Sequence, residues 1–229
     1  MKNYIFIFFV VGLFISGCSS IQTEKSNRVE QRIIFPQYSL TYDADSETLI
    51  ASAQFNTNNP AGTFIKLSSN SSITFNENRL KATENRENFR FYYTYKSTET
   101  LPQKAVFEYV NDDKKQFTNA IHIHSFELKE RTYFFKTKEE KVIPFIGKAL
   151  NENETLEGVV TNNNHEIINT FFPILRERSI LISADMISLN SGRYFLHFIR
   201  RESSSKVNAL DRGGLIEVEY HSKKIEVEI

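Results

Sequence analysis

Gln37-Tyr38-Ser39-Leu40-Thr41-Tyr42-Asp43-Ala44-Asp45-Ser46-Glu47-Thr48-Leu49-Ile50-Ala51-Ser52-Ala53-Gln54-Phe55 is the stretch that decides the fold class. Tyr38, Leu40 and Tyr42 alternate with Gln37, Ser39 and Thr41, and after the Asp43 to Ser46 turn Leu49, Ala51, Ala53 and Phe55 alternate with Ile50, Ser52 and Gln54. A period of two sends successive side chains to opposite faces, so the stretch is a hairpin with one buried side.

The same pattern extends in both directions. Asn56 to Gly62 reads as a loop, and Thr63 to Leu67 and Ile73 to Phe75 as short strands. In Asn88 to Lys96, Phe89, Phe91, Tyr93 and Tyr95 share the expected inner face, leaving Arg90, Tyr92, Thr94 and Lys96 to water. Lys104 to Val110 and Gln116 to His124 continue around the turn at Asn111 to Lys114. Beyond Leu128 the expected strands are Thr132 to Lys136, Lys141 to Phe145, Thr155 to Thr161, Glu166 to Phe172, Ser179 to Ser183, Gly192 to Arg200, Leu215 to Tyr220 and Lys224 to Ile229. Strands at spacings of about ten residues predict an all-β chain: two antiparallel β-sandwich domains of immunoglobulin-like size in tandem, residues 32–128 and 129–229. One larger continuous β fold is the competing architecture. The absence of Trp and of paired Cys leaves no true immunoglobulin signature.

Composition sets further bounds. The 229 residues are 40% hydrophobic, enough for a sizeable core, and 28 basic side chains balance 28 acidic ones. Zero formal charge provides no long-range field for collecting a polyanion, so nucleic acid is not an expected partner. A single Cys excludes an intrachain disulfide framework and a cysteine-built zinc site.

That Cys follows a distinctive N-terminus. Lys2 precedes an uncharged run from Tyr4 to Ile15. As a helix this run would span about 18 Å, well short of the ~30 Å hydrocarbon core, so residues 1–17 read as a signal peptide rather than a permanent span. Ile15-Ser16-Gly17-Cys18 resembles the lipobox of bacterial lipoproteins. The resemblance implies a diacylglyceryl thioether on Cys18, cleavage between Gly17 and Cys18, and often an N-acyl chain such as palmitate on the new terminus. Each buried methylene contributes about 0.8 kcal/mol, so two or three acyl chains hold a protein on a bilayer almost irreversibly. Ser19, where an Asp would favour the inner membrane, implies the outer membrane if the host is Gram-negative. Residues 18–31 are polar and are expected to form a flexible tether with a reach on the order of 20 Å.

Chemistry is harder to find. The chain has no G-x-S-x-G elbow, no H-E-x-x-H and no phosphate-cradling glycine loop, and its lone thiol is assigned to lipid, so neither an enzyme nor a cofactor is expected. His122 and His124 share a strand face and with His197 form a conceivable metal set, although Ile121 and Ile123 facing the core equally account for outward histidines. Glu217, Glu219, Glu226 and Glu228 read, beside Lys223 and Lys224, as decoration of a C-terminal hairpin. Arg90, Tyr92 and Lys96 on one wet strand face, and Asp211 and Arg212 closing the polar segment Glu202 to Ala209, are the interaction candidates. The expected function is a membrane-anchored envelope lipoprotein, non-catalytic, that meets an envelope protein partner. A surface adhesion or carbohydrate-binding module and an envelope-polymer hydrolase are the alternatives.

Overall fold

A computed structural model describes residues 21–98, 100–102, 104–136, 139–187, 191–209 and 211–228. The signal segment, Cys18, Ser19 and Ile229 lie outside the described residues. The chain is all-β, and its helical content among the described residues is two three-residue 3-10 turns and the short helix Ala184–Ile187.

The hairpin forms as its alternation requires. Ile34–Asp43 pairs with Thr48–Thr57 in unbroken register, from Ile34 opposite Thr57 to Asp43 opposite Thr48. Tyr38, Leu40, Tyr42, Leu49, Ala51, Ala53 and Phe55 are all buried. Asp43 fixes the turn by accepting hydrogen bonds at Oδ1 from the backbone N–H groups of Asp45 (2.8 Å) and Ser46 (3.0 Å).

Around the hairpin runs one long sheet in the order Thr23–Lys25, Phe64–Lys66, Thr48–Thr57, Ile34–Asp43, Leu215–His221, Arg193–Ser204, Glu154–Thr161, Ile167–Phe171. Arg90–Ser97, itself paired with Lys81–Asn85, branches from Thr48–Thr57. Ile225–Glu228 branches from the start of Arg193–Ser204 and pairs in parallel with Thr132–Phe134. Two four-stranded sheets cover this backing sheet. The first contains Gln116–Ile121, Ala105–Val110, Ser72–Phe75 and Asn78–Arg79, and the second Phe126–Leu128, Glu140–Gly147, Ser179–Ser183 and Ile174–Arg176.

Aromatic contacts show which faces meet. In the first half Tyr38 stacks on Phe107 at 4.9 Å and Phe55 lies 4.6 Å from Tyr109. In the second, Phe126 lies 5.2 Å from Phe198 and 4.6 Å from Phe145. The result is two antiparallel sandwiches in tandem whose backing sheets are fused. The seam is the parallel pairing of Leu215–His221 with residues 37–43 of the hairpin strand, and it covers two sheet edges that separate sandwiches would leave open.

Four expectations are corrected. The flexible tether does not extend to residue 31: Thr23–Lys25 pairs with Phe64–Lys66, and Ser26 is fully buried, accepting the Ser68 backbone N–H at Oγ over 2.8 Å. Gln31 secures the segment by donating to the Ser26 carbonyl (2.7 Å) and accepting from the Asp112 backbone N–H. Hydrogen bonds to polar partners on the body order this polar segment, a route that composition does not register. Second, Phe126–Leu128 pairs with Glu140–Gly147, so the passage between sandwiches lies at residues 122–125 rather than after 128.

Third, Phe89 points outward: it occupies the tip of the hairpin joining Lys81–Asn85 to Arg90–Ser97, with φ +53° and 53% exposure, and the alternation starts only at Arg90. Fourth, Leu215–His221 and Ile225–Glu228 do not form a hairpin with each other. Both pair with Arg193–Ser204, along successive segments of that long strand.

Candidate functional site

The outward face of the opening hairpin floors a groove of about 550 Å³. Gln37 stands directly opposite Gln54, and Ser39 directly opposite Ser52, so strand pairing alone sets two polar rungs side by side. Asn56, two residues beyond Gln54 and only 1% exposed, ties them together. Its Oδ1 accepts from Gln37 Nε2 (2.9 Å) and Gln54 Nε2 (2.8 Å), and its own Nδ2 donates to the Gly62 carbonyl (2.7 Å). Each glutamine thereby keeps its carbonyl oxygen and a second N–H for another partner. Gly62 is required by close approach, because a Cβ there would sit 1.8 Å from the Thr57 carbonyl oxygen.

Arg90 and half-buried Tyr92 line the groove beside this floor, and Leu215 and Glu217 line it from the seam strand. Two of the predicted interaction residues are thus brought to one site. Lys96 is not among them: it lies farther along its strand, opposite Ile50. Arg90 and Glu217 are the ionisable side chains of opposite charge in the lining, so the groove is close to neutral.

A second groove, of about 530 Å³, opens at the passage between the sandwiches and is lined by both His122 and His124. The strand carrying them ends at Ile121, so the strand-face argument does not apply. His122 is exposed, and His124 instead turns to Glu154, with Nδ1 2.9 Å from Oε1. His197 is elsewhere, its ring 6.3 Å from that of His221. Burial pushes the His197 imidazole below its ordinary value, and the neighbouring His221 and Lys224 push it further.

His124, Glu154 and Glu202 bring donor atoms within 4.8 Å of one another. This set suits a metal poorly, because cations of the chain already neutralise it. Arg200, 2% exposed, takes both oxygens of Glu154 (Nε to Oε1 2.9 Å, Nη2 to Oε2 2.7 Å), and Lys148 Nζ is 3.3 Å from His124 Nε2. The same guanidinium donates to the carbonyls of Ser125 (3.2 Å), Lys148 (2.7 Å) and Ala149 (3.3 Å). Burial alone would raise the Glu154 carboxyl, but the bonds from Arg200, the Asn151 amide and His124 prevail and hold it below the usual carboxylate range. The arrangement is a clamp that locks the passage between the sandwiches onto the second one.

Sequence reasoning missed Arg200 and Glu154, although a signal was present. Arg200 shares inward parity with Leu196 and Phe198, and Glu154 with Leu156, so each charge falls on a buried face and needs the other. Asp211 and Arg212 are exposed and line a shallow depression with Arg32 and Ile33, apart from both grooves. The preceding connection is shorter than expected, because the strand runs through Ser204. It is also pinned to the first sandwich, with Asn208 N–H donating to Asn119 Oδ1 (2.6 Å) and Asn119 Nδ2 to the Asn208 carbonyl (3.1 Å). Glu219 bonds His221 and Arg201, which against the opposing effect of burial hold its carboxyl at about 2. A comparison of the chain with protein-family models and with curated proteins finds no match.

Proposed function

We propose that the chain is a lipid-anchored protein of the cell envelope that works by binding rather than by catalysis, with the groove over Gln37, Gln54 and Asn56 as its contact surface. The observation that carries this reading is the convergence of Arg90 and Tyr92 on a floor whose amides are pre-positioned by Asn56. Preorganised polar groups lower the ordering cost of binding, as a recognition surface requires.

The anchor supports the same reading. Three residue steps separate Cys18 from Ile21, which packs against the core, and fully extended they reach about 10 Å. Lipidation at Cys18 would therefore hold the body against the bilayer rather than on a long leash, and Ser19 favours the outer membrane of a Gram-negative host.

Labelled palmitate supplied to cells tests the anchor: the wild-type protein takes it up, and Cys18→Ala takes up none and leaves the membrane fraction. Uptake by Cys18→Ala would overturn the anchor. A photo-crosslinking side chain at position 92 tests the contact surface: a discrete adduct with an envelope component is expected, and the absence of any adduct contradicts a binding role.

A further inference from the structure

We infer that the groove takes an uncharged glycan, with Tyr92 as the stacking platform and the Gln37 and Gln54 amides as the hydroxyl-reading floor. The inference rests on the proposed reading of the groove as a binding surface and names the chemistry of its ligand.

The floor differs from the outward faces of the two C-terminal strands. Where Glu217, Glu219, Glu226 and Glu228 alternate with buried residues, the wet side is ionised. On the opening hairpin the corresponding outward residues, Gln37, Ser39, Ser52 and Gln54, carry only hydroxyls and amides. Such groups are both donors and acceptors, as are the hydroxyls of a sugar. Neighbouring strands lie about 4.8 Å apart and alternate residues about 7 Å apart, so the two rungs form a grid on the scale of a pyranose ring.

Tyr92 adds an aromatic ring with a polar tip at the edge of that grid, suited to the C–H face of a sugar. Arg90 and Glu217 offset each other, which favours a neutral chain over an acidic one.

A peptide fits less well. Extended peptides dock by adding to an open sheet edge, whereas beneath the groove Ile34–Asp43 is paired on both sides and Thr48–Thr57 lies inside the sheet, flanked by Arg90–Ser97 as far as Ala53 and by Phe64–Lys66 at Asn56.

The test uses the full lipidated protein in a zwitterionic, sugar-free detergent, with chitohexaose, maltohexaose and cellohexaose as probes in calorimetry. At least one is expected to bind at micromolar to millimolar concentration. Tyr92→Ala and Gln54→Ala should each weaken it about tenfold or more with an unchanged melting temperature, while Lys96→Ala leaves it unaffected. No binding by any probe, or equal binding by Tyr92→Ala, overturns the glycan. If the position-92 crosslinker then captures a protein, the glycan falls and the binding role stands; if it captures nothing, both fall.

Discussion

Ten large hydrophobic side chains stand exposed among the described residues. Two of them, Ile50 and Phe89, belong to the first sandwich, whereas the other eight fall between Phe134 and Leu175 in the second. The interiors differ in the opposite sense. Between its sheets the first sandwich packs rings such as Tyr38, Phe55, Phe107 and Tyr109, and its outer face is the amide-floored groove. The second buries an ion pair, Arg200 with Glu154, and leaves apolar residues at its rim. Similar architecture therefore serves two surfaces: one suited to a polar ligand, the other to loss of water. Ring packing is common to both halves, and the second adds to it a charge clamp on three backbone carbonyls.

Removing the clamp should produce the largest effect. Arg200→Leu leaves Glu154 buried without its cation and deprives the carbonyls of Ser125, Lys148 and Ala149 of their donor. The expected loss is about 3–5 kcal/mol in chemical denaturation, the range for breaking a buried pair. Hydrogen exchange should show it first in Glu154–Thr161 and Arg193–Ser204, and an exchange pattern raised equally in the first sandwich would erase the distinction between the halves.

Acid should separate the halves next. Glu154 and Glu219 both have carboxyls below their ordinary value, Glu219 at about 2 against 4.5. A depressed carboxyl contributes stability that is complete above its unfolded value and is lost as pH falls toward its folded one. The second sandwich should therefore weaken between about pH 4.5 and pH 2. Glu127, raised by burial despite its bond from Tyr220, acts in the opposite direction, gaining on protonation. In the first sandwich the depressed group is Asp112, where burial opposes but bonds from Ser26, Ser68 and Ser71 prevail, so there the N-terminal segment should respond. Exchange measured across this pH range checks the order.

A smaller effect is expected from that segment at neutral pH. Ser26→Ala leaves the Ser68 N–H without its acceptor, at a cost of about 1–3 kcal/mol. Because Thr23–Lys25 is an edge strand, the cost should appear as faster proteolysis within residues 21–31 with little change in global melting. A matching drop in global stability would show instead that the segment belongs to the core of the first sandwich.

These tests fall where local sequence stops being informative. Period-two runs locate the strands because burial on one face is a local pattern, and Ser179–Ser183 coincides with its predicted span. The seam is illegible for the opposite reason: nothing in Leu215–His221 marks Ile34–Asp43 as its parallel partner across most of the chain. Outward parity identifies Arg90 and Tyr92, but it also selects Lys96, since parity ignores position along the strand. The groove floor was within reach of the hairpin register, which follows from the Asp43 turn and sets Gln37 against Gln54. Asn56 was not, because its role depends on the Gly62 carbonyl folding back over it.

The apolar rim of the second sandwich gives the smallest effect on stability and the sharpest test of the contrast. Val142 and Ile174 both stand opposite Leu181, one on each side, so the three form a row across the outer face of the second covering sheet. Ile174–Arg176 and Ile167–Phe171 are edge strands of two different sheets, and Phe172, 69% exposed, lies between them in the chain. Edges of this kind usually carry charge that keeps other chains away, and monomers seldom expose contiguous apolar area. Phe172→Asp places a charge on that rim without touching the core, so the fold should change by no more than about 0.5 kcal/mol. Binding of an apolar fluorescent dye and concentration-dependent sedimentation should both fall. Tyr92→Ala, on the polar surface of the other sandwich, should alter neither. If Phe172→Asp and Tyr92→Ala behave alike, the two surfaces do not differ in the way their side chains indicate.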